Sequence, residues 1–96
     1  MKARQIFNRS VTITNNSFAE LVIWEVPKPL AGSSHSYRVA LIHHGVSVLR
    51  YDNEAGKGDH KHIGADEQPY IFKDVDKLIE DLVEDIMRWQ NEHGDP

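Results

Sequence analysis

The sequence predicts an α+β fold: an antiparallel sheet of four to five strands with one C-terminal amphipathic helix packed on one face. Three observations carry this. Runs of β-branched and aromatic residues, separated by turn chemistry, fill the first half of the chain. One apolar stripe at helical spacing runs from Val75 to Trp89. The strands all precede that helix, so neighbouring strands need only turns between them.

The first run, Gln5 to Thr14, holds Ile6, Phe7, Val11 and Ile13. Asn15-Asn16-Ser17 reads as a turn, because asparagine tolerates the left-handed region and its side chain closes a local turn. Phe18 to Val26 follows, completing a β-hairpin. Its odd face carries Leu21 and Ile23 and its even face Val22, Trp24 and Val26, so a central strand covered on both sides is expected. Trp24 and Trp89 each read as core anchors. Pro27-Lys28-Pro29 should end the strand, since proline supplies no ladder donor, and Leu30 to Ser36 should be a loop. Tyr37 to His43 and Val46 to Tyr51 are strands joined at His44-Gly45, where Gly45 supplies a positive φ. Asp52 to Ile63 reads as a long polar loop, and Tyr70-Ile71-Phe72 as a short fifth strand. Val75, Leu78, Ile79, Leu82, Val83, Ile86 and Trp89 then define the helix, with Asp74 as N-cap, Asp76 favoured by the dipole and Gly94 as terminator.

The 96 residues are expected to form one domain, residues 1–96. With no cysteine, disulfide scaffolds, thiol catalysis and Fe–S clusters are excluded. No apolar run approaches the roughly 18–20 residues of a membrane span, and the start lacks the apolar segment of a secretory signal. A cytoplasmic protein without membrane contact is expected. The net charge of −4 is split. Residues 1–50 set six Lys/Arg against Glu20 and Glu25, and residues 74–92 set seven carboxylates against Lys77 and Arg88. The basic half permits contact with a polyanion.

Chemistry concentrates in Arg50-Tyr51-Asp52-Asn53-Glu54-Ala55-Gly56-Lys57-Gly58-Asp59-His60-Lys61-His62. Gly56 and Gly58 flank Lys57, so backbone can approach a ligand while Lys57 projects into it. Tyr51 and Gly58 stand where a Walker loop needs Gly and Ser/Thr, which excludes a P-loop NTPase. Three readings compete. In the first, His60 and His62 are general acid and base for phosphodiester chemistry, since an ordinary imidazole titrates near about 6.5. Arg50, Lys57 and Lys61 would hold the phosphate. If His60-Lys61-His62 is extended, both imidazoles share a face about 6.5–7 Å apart at Cα. In the second, the two histidines and Asp59 bind a divalent metal, with His43, His44, Asp52 and Glu54 as further ligands by type only. Lys57 and Lys61 oppose a cation there, so neither a metal nor any other cofactor is expected. In the third, the segment is a polar surface turn. His35, His43, His44 and His93 are structural or solvated.

Leu49 to Ile63, with its Gly-Lys-Gly-Asp-His-x-His core, resembles the signature of the TumE family of small bacterial and archaeal toxins. Ser17 to Pro27, Tyr37 to Leu41 and the helix after Pro69-Tyr70-Ile71-Phe72 resemble that family as well. Ala55 departs from the pattern, where arginine is usual, and removes one cation. The resemblance implies a toxin of a toxin–antitoxin pair, neutralised by an antitoxin that carries a helix-turn-helix. It implies no particular reaction.

The leading expectation is therefore a toxin-like protein that cleaves RNA. His60, His62, Lys57 and Asp59 would form the catalytic set, and Arg50, Lys61, Gly56, Gly58 and Asn53 would bind substrate. The alternatives are a non-enzymatic module that binds nucleic acid or a partner through the same loop, and a metal-dependent nuclease. A homodimer is compatible with so small a sheet.

Overall fold

The computed structural model describes residues 3–30, 33–53 and 58–93. Six strands form one antiparallel sheet in chain order: β1 (Arg4–Thr14), β2 (Ser17–Leu30), β3 (Ser33–His43), β4 (Val46–Asp52), β5 (His60–Ile63) and β6 (Asp66–Pro69). The helix α1 (Val75–His93) lies against β3 and β4. The α+β class and the single packed helix are as the sequence predicts, with one strand more than the upper expectation.

The turns follow the local chemistry. Asn15 and Asn16 connect β1 to β2, with the Asn16 amide donating to Thr14 Oγ1 at 3.1 Å. His44 and Gly45 take φ of 50° and 78°, the paired positive values that suit a two-residue hairpin. Gly64 (φ 59°) and Ala65 make the next tight turn, between β5 and β6. This turn converts the end of the expected polar loop into a hairpin. Tyr70 to Phe72 is correspondingly not a strand; the Tyr70 and Phe72 amides donate to the backbone oxygen and Oδ2 of Asp59 at 3.3 and 3.2 Å.

The prolines do not end β2 where expected. The strand runs on to Leu30, which pairs with Ser33, but its register breaks between Glu25 and Leu30, the stretch that contains both prolines. The connection expected from Leu30 to Ser36 shrinks accordingly, and its centre at 31–32 lies outside the described residues.

One face of the sheet carries the core. Leu21, Ile23, Tyr37, Val39, Leu41, Leu49 and Tyr51 pack beneath Leu78, Leu82, Ile86 and Trp89 of α1. Each fully buried Leu or Ile contributes about 1.5–3 kcal/mol. Asp74 caps the helix as predicted, its Oδ1 accepting from the Lys77 amide at 2.7 Å. Val83, expected on the stripe, is instead 47% exposed. Gly94 lies outside the described residues.

The expectation that β2 is covered on both sides, with Trp24 as a core anchor, is corrected. Leu21 and Ile23 are buried under the helix, but Phe18 and Trp24 on the opposite face are 36% and 37% exposed. Trp89 does anchor the core.

The β3–β4 pairing holds the feature that positions everything downstream. His43 faces Val46 and Ile42 faces Ser47, but Leu41 faces Leu49, so Val48 is an extra residue in β4. A one-residue offset exchanges the faces of a strand. The bulge turns Leu49 and Tyr51 inward beside Leu41 and Val39, and it turns Arg50 and Asp52 outward. Gly64 of the β5–β6 turn satisfies the bulged carbonyl, donating to Val48 O at 2.9 Å.

Candidate functional site

The site lies on the face of the sheet opposite α1. Two rows of paired residues cross β3 to β6 there. Arg38 faces Asp52, Asp52 faces His60 and His60 faces Pro69; beside them, Ala40 faces Arg50, Arg50 faces His62 and His62 faces Glu67. Because β5 is extended, His60 and His62 share this face as predicted, with ring centroids 5.3 Å apart.

Each imidazole meets a carboxylate. His60 Nε2 stands 3.0 Å from Asp52 Oδ1 and 3.9 Å from Glu67 Oε2, and His62 Nε2 stands 3.3 Å from that same Glu67 oxygen. The second Asp52 oxygen is 2.8 Å from Arg50 Nε, an ion-pair contact without the angle of a hydrogen bond. Asp52 is buried, His60 and His62 are half-buried, and Glu67 is exposed. The result is a shallow cluster of two imidazoles, two carboxylates and one guanidinium on adjacent strands.

Several residues assigned to the site from the sequence go elsewhere. Strand alternation sends Lys61 to the opposite face, where its Nζ lies 3.4 Å from Asp85 Oδ2 on α1 and above the Tyr51 ring. Asp85 is buried and also receives the Tyr51 hydroxyl and Arg88 Nη1. Burial first, and that carboxylate second, push the Tyr51 phenol far above its ordinary pKa, so it stays a donor. Asp59 is likewise not among the histidines. Its carboxylate holds the Phe72 amide and stands beside the Tyr37 hydroxyl, whose pKa is raised by burial and by Asp59. Asn53 is fully buried; its Oδ1 accepts from the Tyr37 amide at 3.0 Å and its Nδ2 donates to His35 O at 2.7 Å. That side chain clamps the end of β3. Gly58 takes φ of 84°, a conformation that glycine favours. Gly56, Lys57 and Glu54 lie outside the described residues.

Other residues enter. Asp52 was a candidate by type only, and Glu67 carried no sequence signal of its own. His43, the other histidine of the metal reading that is not fully exposed, lies on the helix side, edge-on to Trp89 with its Nδ1 2.6 Å from Ser17 Oγ.

A family model described as Toxin TumE matches residues 2–90, which spans every strand and nearly all of α1. The chain belongs to the TumE toxin family. It is thus a toxin-like component of a toxin–antitoxin module, and its implied partner is an antitoxin. No curated protein and no solved structure matches it. Among the described residues of this TumE-family chain, no helix is long and apolar enough to cross a membrane.

Proposed function

We propose that this toxin cleaves RNA at the open-face cluster. The observation that carries the reading is the pair of imidazoles on one face, each beside a carboxylate, with His60 held by Asp52 at 3.0 Å. A carboxylate on one side of an imidazole fixes its orientation. His60 would then take up a proton from a ribose hydroxyl while His62 donates one to the leaving oxygen. Arg50 and, from the adjoining segment, Lys57 would balance the phosphate charge. Lys61 and Asn53 would act indirectly, Lys61 by neutralising Asp85 and Asn53 by holding the strand end beside Asp52.

The antitoxin would carry a helix-turn-helix and would mask the toxin by docking on β1, a terminal strand of the sheet whose outer edge has no strand partner among the described residues. Cleavage is tested by inducing expression of the wild type beside a His60→Ala, His62→Ala double variant, with growth and total RNA followed over time. Growth arrest with shortened RNA in the wild type alone is expected. Equal arrest by both at matched levels, or salt-sensitive RNA binding with RNA length unchanged, would replace the nuclease reading with a binding module.

A further inference from the structure

The geometry points to a divalent transition-metal site of the zinc type on Asp52, His60 and His62, with Glu67 as the fourth ligand. One ligand atom from each of the first three lies within 4.8 Å of the other two. Ligands held at about 2.1 Å around a tetrahedral ion stand about 3.4 Å from one another. The observed separations, 3.0 Å for His60–Asp52, 3.3 Å for His62–Glu67 and 3.9 Å for His60–Glu67, bracket that edge. Glu67 lies outside the group whose ligand atoms are all within 4.8 Å of one another, so it must swing toward Asp52 to complete the set, as an exposed glutamate side chain can.

A second observation is independent of those distances. His62 Nε2 is buried yet makes no hydrogen bond among the described residues, although it faces the Glu67 carboxylate. A buried ring nitrogen without a hydrogen bond is costly in water-excluded surroundings, and coordination satisfies it directly. The electrostatic objection drawn from the sequence also loses one of its two cations, because Lys61 lies on the other face, paired with Asp85. The described charges around the histidines are Asp52 and Glu67 against Arg50, whose side chain is 40% exposed and therefore screened, while Arg38 across from Asp52 is paired with Glu20 at 3.6 Å. Arg50 touches the Asp52 oxygen that does not face His60, and so fixes the other oxygen toward the ion, as outer-shell partners do. Two imidazoles with two carboxylates suit Zn²⁺, Co²⁺ or Mn²⁺ better than Mg²⁺, which prefers oxygen and its own waters.

The inference rests on the RNA-cleavage reading only for the ion's purpose. A cation here would draw a phosphodiester toward a cluster whose carboxylates otherwise repel it. With an ion bound, His60 and His62 would be its ligands in place of acting as acid and base, and the ion would supply Lewis-acid activation of water.

The test uses full-length protein freed of metal with a chelator. Calorimetric titration with Zn²⁺ is expected to give one ion per chain with a Kd below about 10 μM, not displaced by millimolar Mg²⁺. Co²⁺ is expected to produce the visible absorption of a four-coordinate N/O site. Asp52→Asn, His60→Ala and His62→Ala should each weaken uptake at least about tenfold, while His44→Gln, at an exposed turn, should not. Circular dichroism shows whether each variant is folded, and the wild-type Co²⁺ spectrum decides the matter if one is not. No Zn²⁺ or Co²⁺ uptake by the wild type, or equal uptake by all folded variants, overturns the site. Uptake without RNA cleavage keeps the site and removes the nuclease reading; cleavage by chelated protein with no uptake does the reverse.

Discussion

The two faces of the sheet use ionisable groups in opposite ways. Beneath α1, Asp85 is buried but carries three partners, Tyr51, Lys61 and Arg88, so its charge is matched within the packing. On the open face, Asp52 and Glu67 flank two imidazoles, and one of the ring nitrogens is buried without a hydrogen bond. The same two strands, β4 and β5, supply both arrangements through alternate residues. A matched buried charge fixes packing and register; an unmatched half-exposed cluster leaves donors and lone pairs for a ligand.

That contrast can be broken or sharpened by substitution. The largest loss of stability is expected on the helix side. Leu78→Ala, at a fully buried position, should cost about 2–5 kcal/mol in urea unfolding. An equal loss from an open-face substitution would erase the difference between the faces. Asp85→Ala should cost about 1–3 kcal/mol, because it removes the ion-pair partner of Lys61 and leaves the Tyr51 hydroxyl only its longer bond to Asp81 O at 3.4 Å. RNA cleavage per folded molecule should be unchanged; if it fell in proportion, Lys61 would have to be returned to the site.

A smaller effect should appear in acid. Asp81 is partly buried, which opposes ionisation, but the Tyr70 hydroxyl at 2.6 Å and Lys77 hold its pKa below the ordinary 3.8. A lowered carboxylate pKa adds stability that is present above 3.8 and lost as pH falls through the lowered value. Tyr70→Phe should remove about 0.5–1.5 kcal/mol at neutral pH and flatten that acid slope, as read from thermal melts between pH 2 and pH 7. The smallest stability change belongs to His60→Ala, within about 1 kcal/mol, yet it should reduce cleavage about 10²- to 10⁴-fold. A large melting shift with intact cleavage would make this histidine a packing residue.

Much of the fold was legible because it is local. The hairpin at Asn15-Asn16, the paired positive φ at His44-Gly45 and the Asp74 cap each depend on a few adjacent residues. The shared face of His60 and His62 follows from alternation alone, and that same alternation, applied to Lys61, excludes it from the site. Asp52 and Glu67 were not legible, since their approach depends on cross-strand register. That register is set by the Gly64-Ala65 turn and by the bulge at Val48, whose extra residue no composition pattern marks. Trp24 misled for a related reason: its alternation with Leu21 and Ile23 is clear, but which side α1 covers is decided by the rest of the sheet.

The bulge at Val48 has a consequence in genetic terms. Deleting that single codon changes no other side chain, keeps the reading frame and preserves the local propensity of β4. It would also restore regular pairing without changing a partner: Leu49 would still face Leu41 and Tyr51 would still face Val39, so Arg50 and Asp52 would stay on the open face. Such a chain would give up the bulged carbonyl that receives the Gly64 amide, and would keep both its core and its cluster. In this family member, an in-frame deletion at this one position is expected to be less damaging than most substitutions in the site itself.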